Sequence, residues 1–246
     1  MFGTADLPQA RAQIEMPQPR WHRPPTSDCI ISYLARQGFA ATERLRQRVE
    51  AQLPEACRSL SMRSLGRIVP VGSGGCVAQH GLPAGIRQAD ALGIGLCTAG
   101  EEIDLGAARL RADGQWIDAW IWDTCGIAAL ANLADNLARE MWAWALARGA
   151  RASAAYAPGV ASGAWALSHQ RLIFQLLPAD QIGVCLTPNL WMHPVKSRSF
   201  VVGIGERIAQ AETPFDCSDC NDGACVYRQA RSQATVATTC SSGGSR

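Results

Sequence analysis

Apolar residues recur along this chain with two periods, and the places where the period changes mark its elements. Thr26-Ser27-Asp28 can cap a helix whose apolar positions are Ile30, Ile31, Leu34 and Ala35, interrupted at Gly38. Thr42 opens a second helix with Leu45, Val49 and Leu53 on one face, and Pro54 or the residues just after it are expected to end it. Residues 64–71 carry β-branched Ile68, Val69 and Val71 and read as a strand, and residues 93–98 read as a second. Glu101 and Glu102 then open a helix, where negative charge suits the N-terminal dipole. The longest periodic stretch covers about 116–147, with Leu130, Leu133, Leu137, Met141 and Trp144 on one face. Gly126 within it suits close packing, and Gly149 stops it. Trp116, Trp120 and Trp122 crowd its start and read as core. Beyond it come an expected helix over 165–177 and expected strands over 182–186 and 200–204.

Strands separated by helices without a regular βαβ cadence predict an α+β fold. Residues 1–26, rich in Pro, Gln and Arg, read as a disordered N-terminal arm before one α+β domain over 27–210. Residues 211–228 form a cysteine-bearing segment, and 229–246, rich in Ser, Thr, Gln and Gly, read as a disordered tail.

Composition narrows the function classes. Of 246 residues 48% are hydrophobic and 18% charged, which fits a globular chain with a real core. A net charge of +2 from scattered basic residues argues against a nucleic-acid partner. No apolar run reaches transmembrane length, so no membrane association is expected. The first 25 residues lack the apolar core of a secretory signal, so a cytoplasmic, reducing location is expected. Ten cysteines are then not expected to form disulfides. Seven stand singly, at Cys29, Cys57, Cys76, Cys97, Cys125, Cys185 and Cys240, and read as small core residues.

The other three are grouped. Cys217, Cys220 and Cys225 form a CxxCx4C arrangement in a polar segment with Gly223 for a tight turn. Three thiolates at this spacing can converge on zinc or an iron–sulfur cluster, and spacing alone does not separate the two. The fourth ligand is left open. Tyr156-Ala157-Pro158-Gly159 is a second candidate, because Pro-Gly favours a type II turn that holds backbone groups open for a ligand. The plainer reading is an ordinary turn before a helix. A third is the loop 186–197, with Trp191, His193 and the Lys196-Ser197 pair, since loops with exposed aromatics often carry recognition. Gly72-Ser73-Gly74-Gly75 lacks the Gly-Lys-Ser/Thr ending of a phosphate-binding loop and reads as plain loop. No Ser-His-Asp or Cys-His pairing stands out, and no catalytic residue is expected.

Taken in order, these blocks resemble the reactivation domain of cobalamin-dependent methionine synthase in its short standalone form. The resemblance runs over about 60–228. It rests on Leu96 to Ile103, on Trp122-Asp123-Thr124-Cys125-Gly126 with Ala134-Asp135, and on the Tyr156 to Gly159 turn. It rests further on Ile182 to Thr187, on Met192, Pro194, Lys196 and Ser197, and on Cys225-Val226-Tyr227-Arg228. It implies a twisted, mainly antiparallel sheet flanked by helices, and binding of S-adenosylmethionine at Tyr156, Ala157, Pro158 and Gly159. It also implies an accessory role in cobalamin-dependent methyl transfer and methionine biosynthesis, supporting reductive methylation of a corrinoid partner. Cobalamin would then come only with a corrinoid protein or methionine synthase subunit. An iron–sulfur cluster at Cys217, Cys220 and Cys225 would relay an electron from a donor.

The chain departs from the family turn at two positions. Ala155 stands where the family has Arg, and Val160 where it has Tyr. Loss of one charge-assisted contact costs about 1.5–3 kcal/mol, so a weakened S-adenosylmethionine site is expected. Two other readings follow. One is a non-catalytic scaffold with structural zinc. The other is a methyltransferase subunit, disfavoured because no Asp-x-His-x-x-Gly cobalamin motif is present.

Overall fold

The computed structural model describes residues 14–16, 24–72, 82–159 and 165–215. Its centre is β3 (Ala91–Thr98), in which every residue is buried. Such a strand needs cover on both faces. It pairs antiparallel with β2 (Arg63–Pro70) on one side and β7 (Ser197–Gly205) on the other. Gly95 lies opposite Phe200, whose ring fills the space a Gly95 side chain would need, 2.4 Å from an added Cβ. Ile14–Glu15 (β1), within the segment expected to be a disordered arm, extends the sheet beyond β2, and β4 (Arg151–Tyr156) closes it beyond β7. The five-stranded order is β1-β2-β3-β7-β4, with antiparallel pairing throughout, which is the expected fold class.

One face is covered by the 31-residue α4 (Trp116–Leu146), which buries Leu130, Leu133, Leu137 and Met141. Against α4 pack α1 (Ser27–Arg36), α2 (Glu43–Arg58) and α3 (Glu102–Ala112). Thr26 and Thr42 cap α1 and α2 by accepting from Cys29 N at 3.3 Å and Leu45 N at 3.2 Å, as the sequence predicts. The other face carries a second apolar cluster with Ile86, Trp165, Ile173 and Ile182, supplied by short turns and by α5 (Gln170–Leu176). A small hairpin, β5 (Cys185–Leu186) with β6 (Met192–His193), precedes β7.

Several expectations are corrected. Pro54 lies inside α2, which runs on to Arg58. Arg48 grips Asp118 of α4 with two hydrogen bonds and Gln52 accepts from Trp122 Nε1 at 2.9 Å, so cross-helix ties offset the proline's missing donor. The helix expected from 165 starts only at Gln170, after a 3-10 turn over Leu167–His169. Trp165 instead lies at a bend with its side chain buried in the core, its carbonyl accepting from Gly159 N at 2.9 Å. The strand expected over 182–186 shrinks to Cys185–Leu186, because Ala179–Ile182 forms a 3-10 turn closed by Gly183 at φ +69°. Trp122 is core, but Trp116 and Trp120 are exposed.

The register places the possible chemistry. Thr98 lies opposite both Arg63 and Ser197, and Tyr156 opposite Val201. The ends of β3 and β4 and the start of β7 therefore share one end of the sheet.

Candidate functional site

On the α5 side of that end, β4 delivers the Tyr156 to Gly159 turn. Gly159 adopts φ +77°, as the third residue of a Pro-Gly type II turn must. An added Cβ there would lie 2.7 Å from Leu167 Cδ1. Pro158 is buried and Tyr156 half-buried. The Tyr156 hydroxyl sits over Gly85, 2.1 Å from where a Cβ would be, so the ring lies against bare backbone. Trp165 stacks on His169 with centroids 5.3 Å apart, and Ser199 Oγ donates to the buried Gln170 Oε1 at 2.7 Å. The Gly159 N–H is already committed to Trp165, so this turn does not hold that donor open. Ala155 is half-buried against the helix-side core, its N–H donating to Pro214 O. Val160 lies outside the described residues.

On the helix side of the same end, three of the sequence blocks meet at Lys196. Its Nζ donates to Asp104 of α3 and, at 2.8 Å, to Asp123 of α4. Arg111 holds the other Asp123 oxygen at 2.6 Å. The Lys196 stem passes over Gly126, where an added Cβ would lie 2.4 Å from its Cδ. The close approach read from Gly126 in the sequence is thus to a lysine stem. Burial pushes the ammonium's pKa down, but the hydrogen bonds and charges of Asp104 and Asp123 outweigh it, and the net shift is upward. Lys196 is a fixed cation, not a proton carrier at neutral pH. Asp104 Oδ2 is buried without a hydrogen-bond partner among the described residues. Ser197 Oγ donates to Pro194 O at 2.7 Å, beside Thr98, whose Oγ1 accepts from Gly100 N at 3.1 Å. Nothing in the sequence marked Asp104 as part of this cluster, since it reads as an ordinary first-turn acid.

His193 lies 3.5 Å from Glu101, with both side chains half exposed, and Trp191 and Val195 are the most exposed large apolar residues among those described. Cys217, Cys220 and Cys225 lie outside the described residues. Among the described residues no group of three or more His, Cys, Asp or Glu could hold a metal. No described helix is long and apolar enough to cross a membrane.

No protein-family model matches the chain, and no curated protein matches it. Solved structures do. One is the "Crystal Structure of the MetH Reactivation Domain bound to AdoHcy", which the chain matches at TM-score 0.58 and 14% identity over 82% of this chain and 80% of that one. Identity this low speaks for the fold alone, and that fold is the mixed helix and antiparallel-sheet fold of the MetH reactivation domain.

Proposed function

We propose that this protein is an accessory of cobalamin-dependent methyl transfer, docking on a corrinoid protein and supporting its reductive methylation with an S-adenosyl-type ligand at the Tyr156 to Gly159 turn. The observation that carries this reading is the likeness to an AdoHcy-bound reactivation domain over most of the chain, with a Pro-Gly turn retained at the end of β4. The exposed Trp191 and Val195 offer a protein partner apolar contact near that end. Calorimetric titration with S-adenosylmethionine tests the ligand. Weak, saturable heat supports the reading, and none at millimolar ligand removes the ligand from it. Pull-down of a cobalamin-loaded methionine synthase fragment tests the partner, and its failure overturns the accessory role.

Three thiolates at Cys217, Cys220 and Cys225 suit an iron–sulfur cluster or zinc by donor chemistry. An iron–sulfur cluster there would supply one-electron chemistry. Iron and sulfide in a brown, anaerobically purified protein support it. A colourless protein with stoichiometric zinc favours the second reading, a scaffold that no longer needs the adenosyl ligand. The commitment of Gly159 N–H to Trp165 and the alanine at 155 favour that second reading.

A further inference from the structure

Two helices bring separate cysteines into contact, with a third on α1 within electrostatic reach. Cys57, in the last turn of α2, has its Sγ 3.9 Å from Cys125 Sγ of α4. Cys29 of α1 lies close enough to raise the Cys125 pKa by its charge. In the sequence these three are 28 and 68 residues apart, and each reads alone as a small core residue. Together Cys57 and Cys125 form a reduced thiol pair whose sulfurs are in contact. Closure to a disulfide, about 2.05 Å between sulfurs, needs each to move roughly 1 Å. The elements are held for that encounter by the Arg48 to Asp118 and Trp122 to Gln52 ties between the same two helices.

The two thiols are not equivalent. Cys57 is half-buried, whereas Cys125 is fully buried. The thiol hydrogen bond from Cys125 stabilises a Cys57 thiolate and lowers its pKa against the opposing effect of burial. Cys125 is pushed up, first by that same hydrogen bond and then by burial. A half-buried thiol of lowered pKa in contact with a buried thiol of raised pKa is the arrangement of a reactive thiol with its resolving thiol.

We propose that Cys57 and Cys125 are a redox-active dithiol that a peroxide oxidises to a disulfide linking α2 to α4. The Cys57 thiolate attacks one peroxide oxygen, the O–O bond breaks, and the hydroxide that leaves takes up a proton as water. Cys57 is then a sulfenic acid. Cys125 Sγ attacks Cys57 Sγ, the S–O bond breaks, and the Cys125 proton leaves with the hydroxyl as a second water. Two thiols have lost two electrons in all, and one peroxide has gained them. A thiol reductant reverses the bond. Cys125 lies two residues from Asp123 and one from Gly126 on α4, so the link would tether the helix turn that carries the Lys196 cluster. In a reducing compartment a bond of this kind is transient and redox-sensing, not structural.

Trypsin separates the participants, because Cys57 falls in fragment 49–58, Cys125 in 112–139 and Cys29 in 21–36. The folded full-length protein is treated with hydrogen peroxide, alkylated and digested. The expected product is 49–58 joined to 112–139, lighter by the two thiol hydrogens and released by dithiothreitol, with Tm raised by roughly 5–10 °C in the linked form. Cys57→Ser abolishes the linked peptide and the Tm shift, whereas Cys29→Ser keeps both. Exposed Cys185 serves as the dose control. Oxidation of Cys185 without any linked peptide overturns the proposal. So does a link between 21–36 and 112–139 in its place, or a link that forms only in denaturant.

Discussion

Replacing Lys196 by methionine isolates what the ion cluster contributes. Methionine keeps an unbranched apolar stem over Gly126 and deletes only the ammonium. Asp123 keeps Arg111 at 2.6 Å, so its charge remains compensated. Asp104 loses its hydrogen bond from Lys196, and its Oδ2 already lacks a partner among the described residues. Removing one partner of a fully buried ion pair costs about 3–5 kcal/mol. Here the carboxylates are 24% and 29% exposed, so water reaches them and the cost is discounted by roughly half, to about 2 kcal/mol. The assay is equilibrium urea unfolding at neutral pH, with a midpoint shift at unchanged slope.

A second substitution separates lost attraction from stranded charge. If the cost of Lys196→Met is chiefly an unpaired Asp104, then adding Asp104→Asn recovers about 1 kcal/mol, and the two changes couple strongly in a double-mutant cycle. Two results would refute the reasoning. One is a Lys196→Met protein within about 0.5 kcal/mol of wild type, the range of unremarkable surface changes. The other is strict additivity with Asp104→Asn.

Three further outcomes follow from the same structure. Because the folded Lys196 pKa lies above the ordinary 10.5, its contribution is fully present below the unfolded value and is lost as pH rises through the folded one. The stability gap between wild type and Lys196→Met therefore narrows as pH is raised from about 9 to about 12, read by unfolding at each pH. Gly106→Ala puts a Cβ 2.0 Å from the Trp122 ring, and the overpacking outweighs alanine's better helix propensity, for a net loss of about 1–2 kcal/mol and a Tm drop of roughly 2–8 °C by calorimetry. Gly159→Ala strains a φ of +77° and meets Leu167, so S-adenosylmethionine binding, if calorimetry detects it in the wild type, is lost while far-UV circular dichroism is unchanged.

The parts of the fold legible in the sequence are those fixed by local chemistry. Thr26 and Thr42 capped helices because a hydroxyl three residues before an open N–H does so in most contexts. The period of α4 was long enough to override its glycine. The failures lie where tertiary contacts overruled local preference. Pro54 or the residues just after it are expected to end α2, but ties from Arg48 and Gln52 to α4 accompany a helix that runs on to Arg58. Trp165 has an apolar pocket and a carbonyl that Gly159 uses, so it does not join the helix its neighbours begin. The Pro-Gly turn was legible, since Gly159 does take a positive φ. Its open backbone donor was not, because the residue that claims that donor is six positions further on. Asp104, Asp123 and Lys196, and likewise Cys57 and Cys125, belong to clusters that exist only after helices from distant segments pack.

The two polar features at this end of the sheet lie on opposite faces, and their chemistry differs accordingly. The turn of β4 is lined by backbone and by packed aromatic rings, with no charge supplied at Ala155. In the Lys196 cluster one ammonium faces two carboxylates, one of which also accepts from the Arg111 guanidinium, and a fixed ion network of that kind positions elements instead of exchanging protons. It joins α3, α4 and the start of β7, the strand that also borders β4. The Cys57–Cys125 link proposed above would tie α2 to α4, the helix that also carries Asp123, so its effect on this end of the molecule would pass through α4.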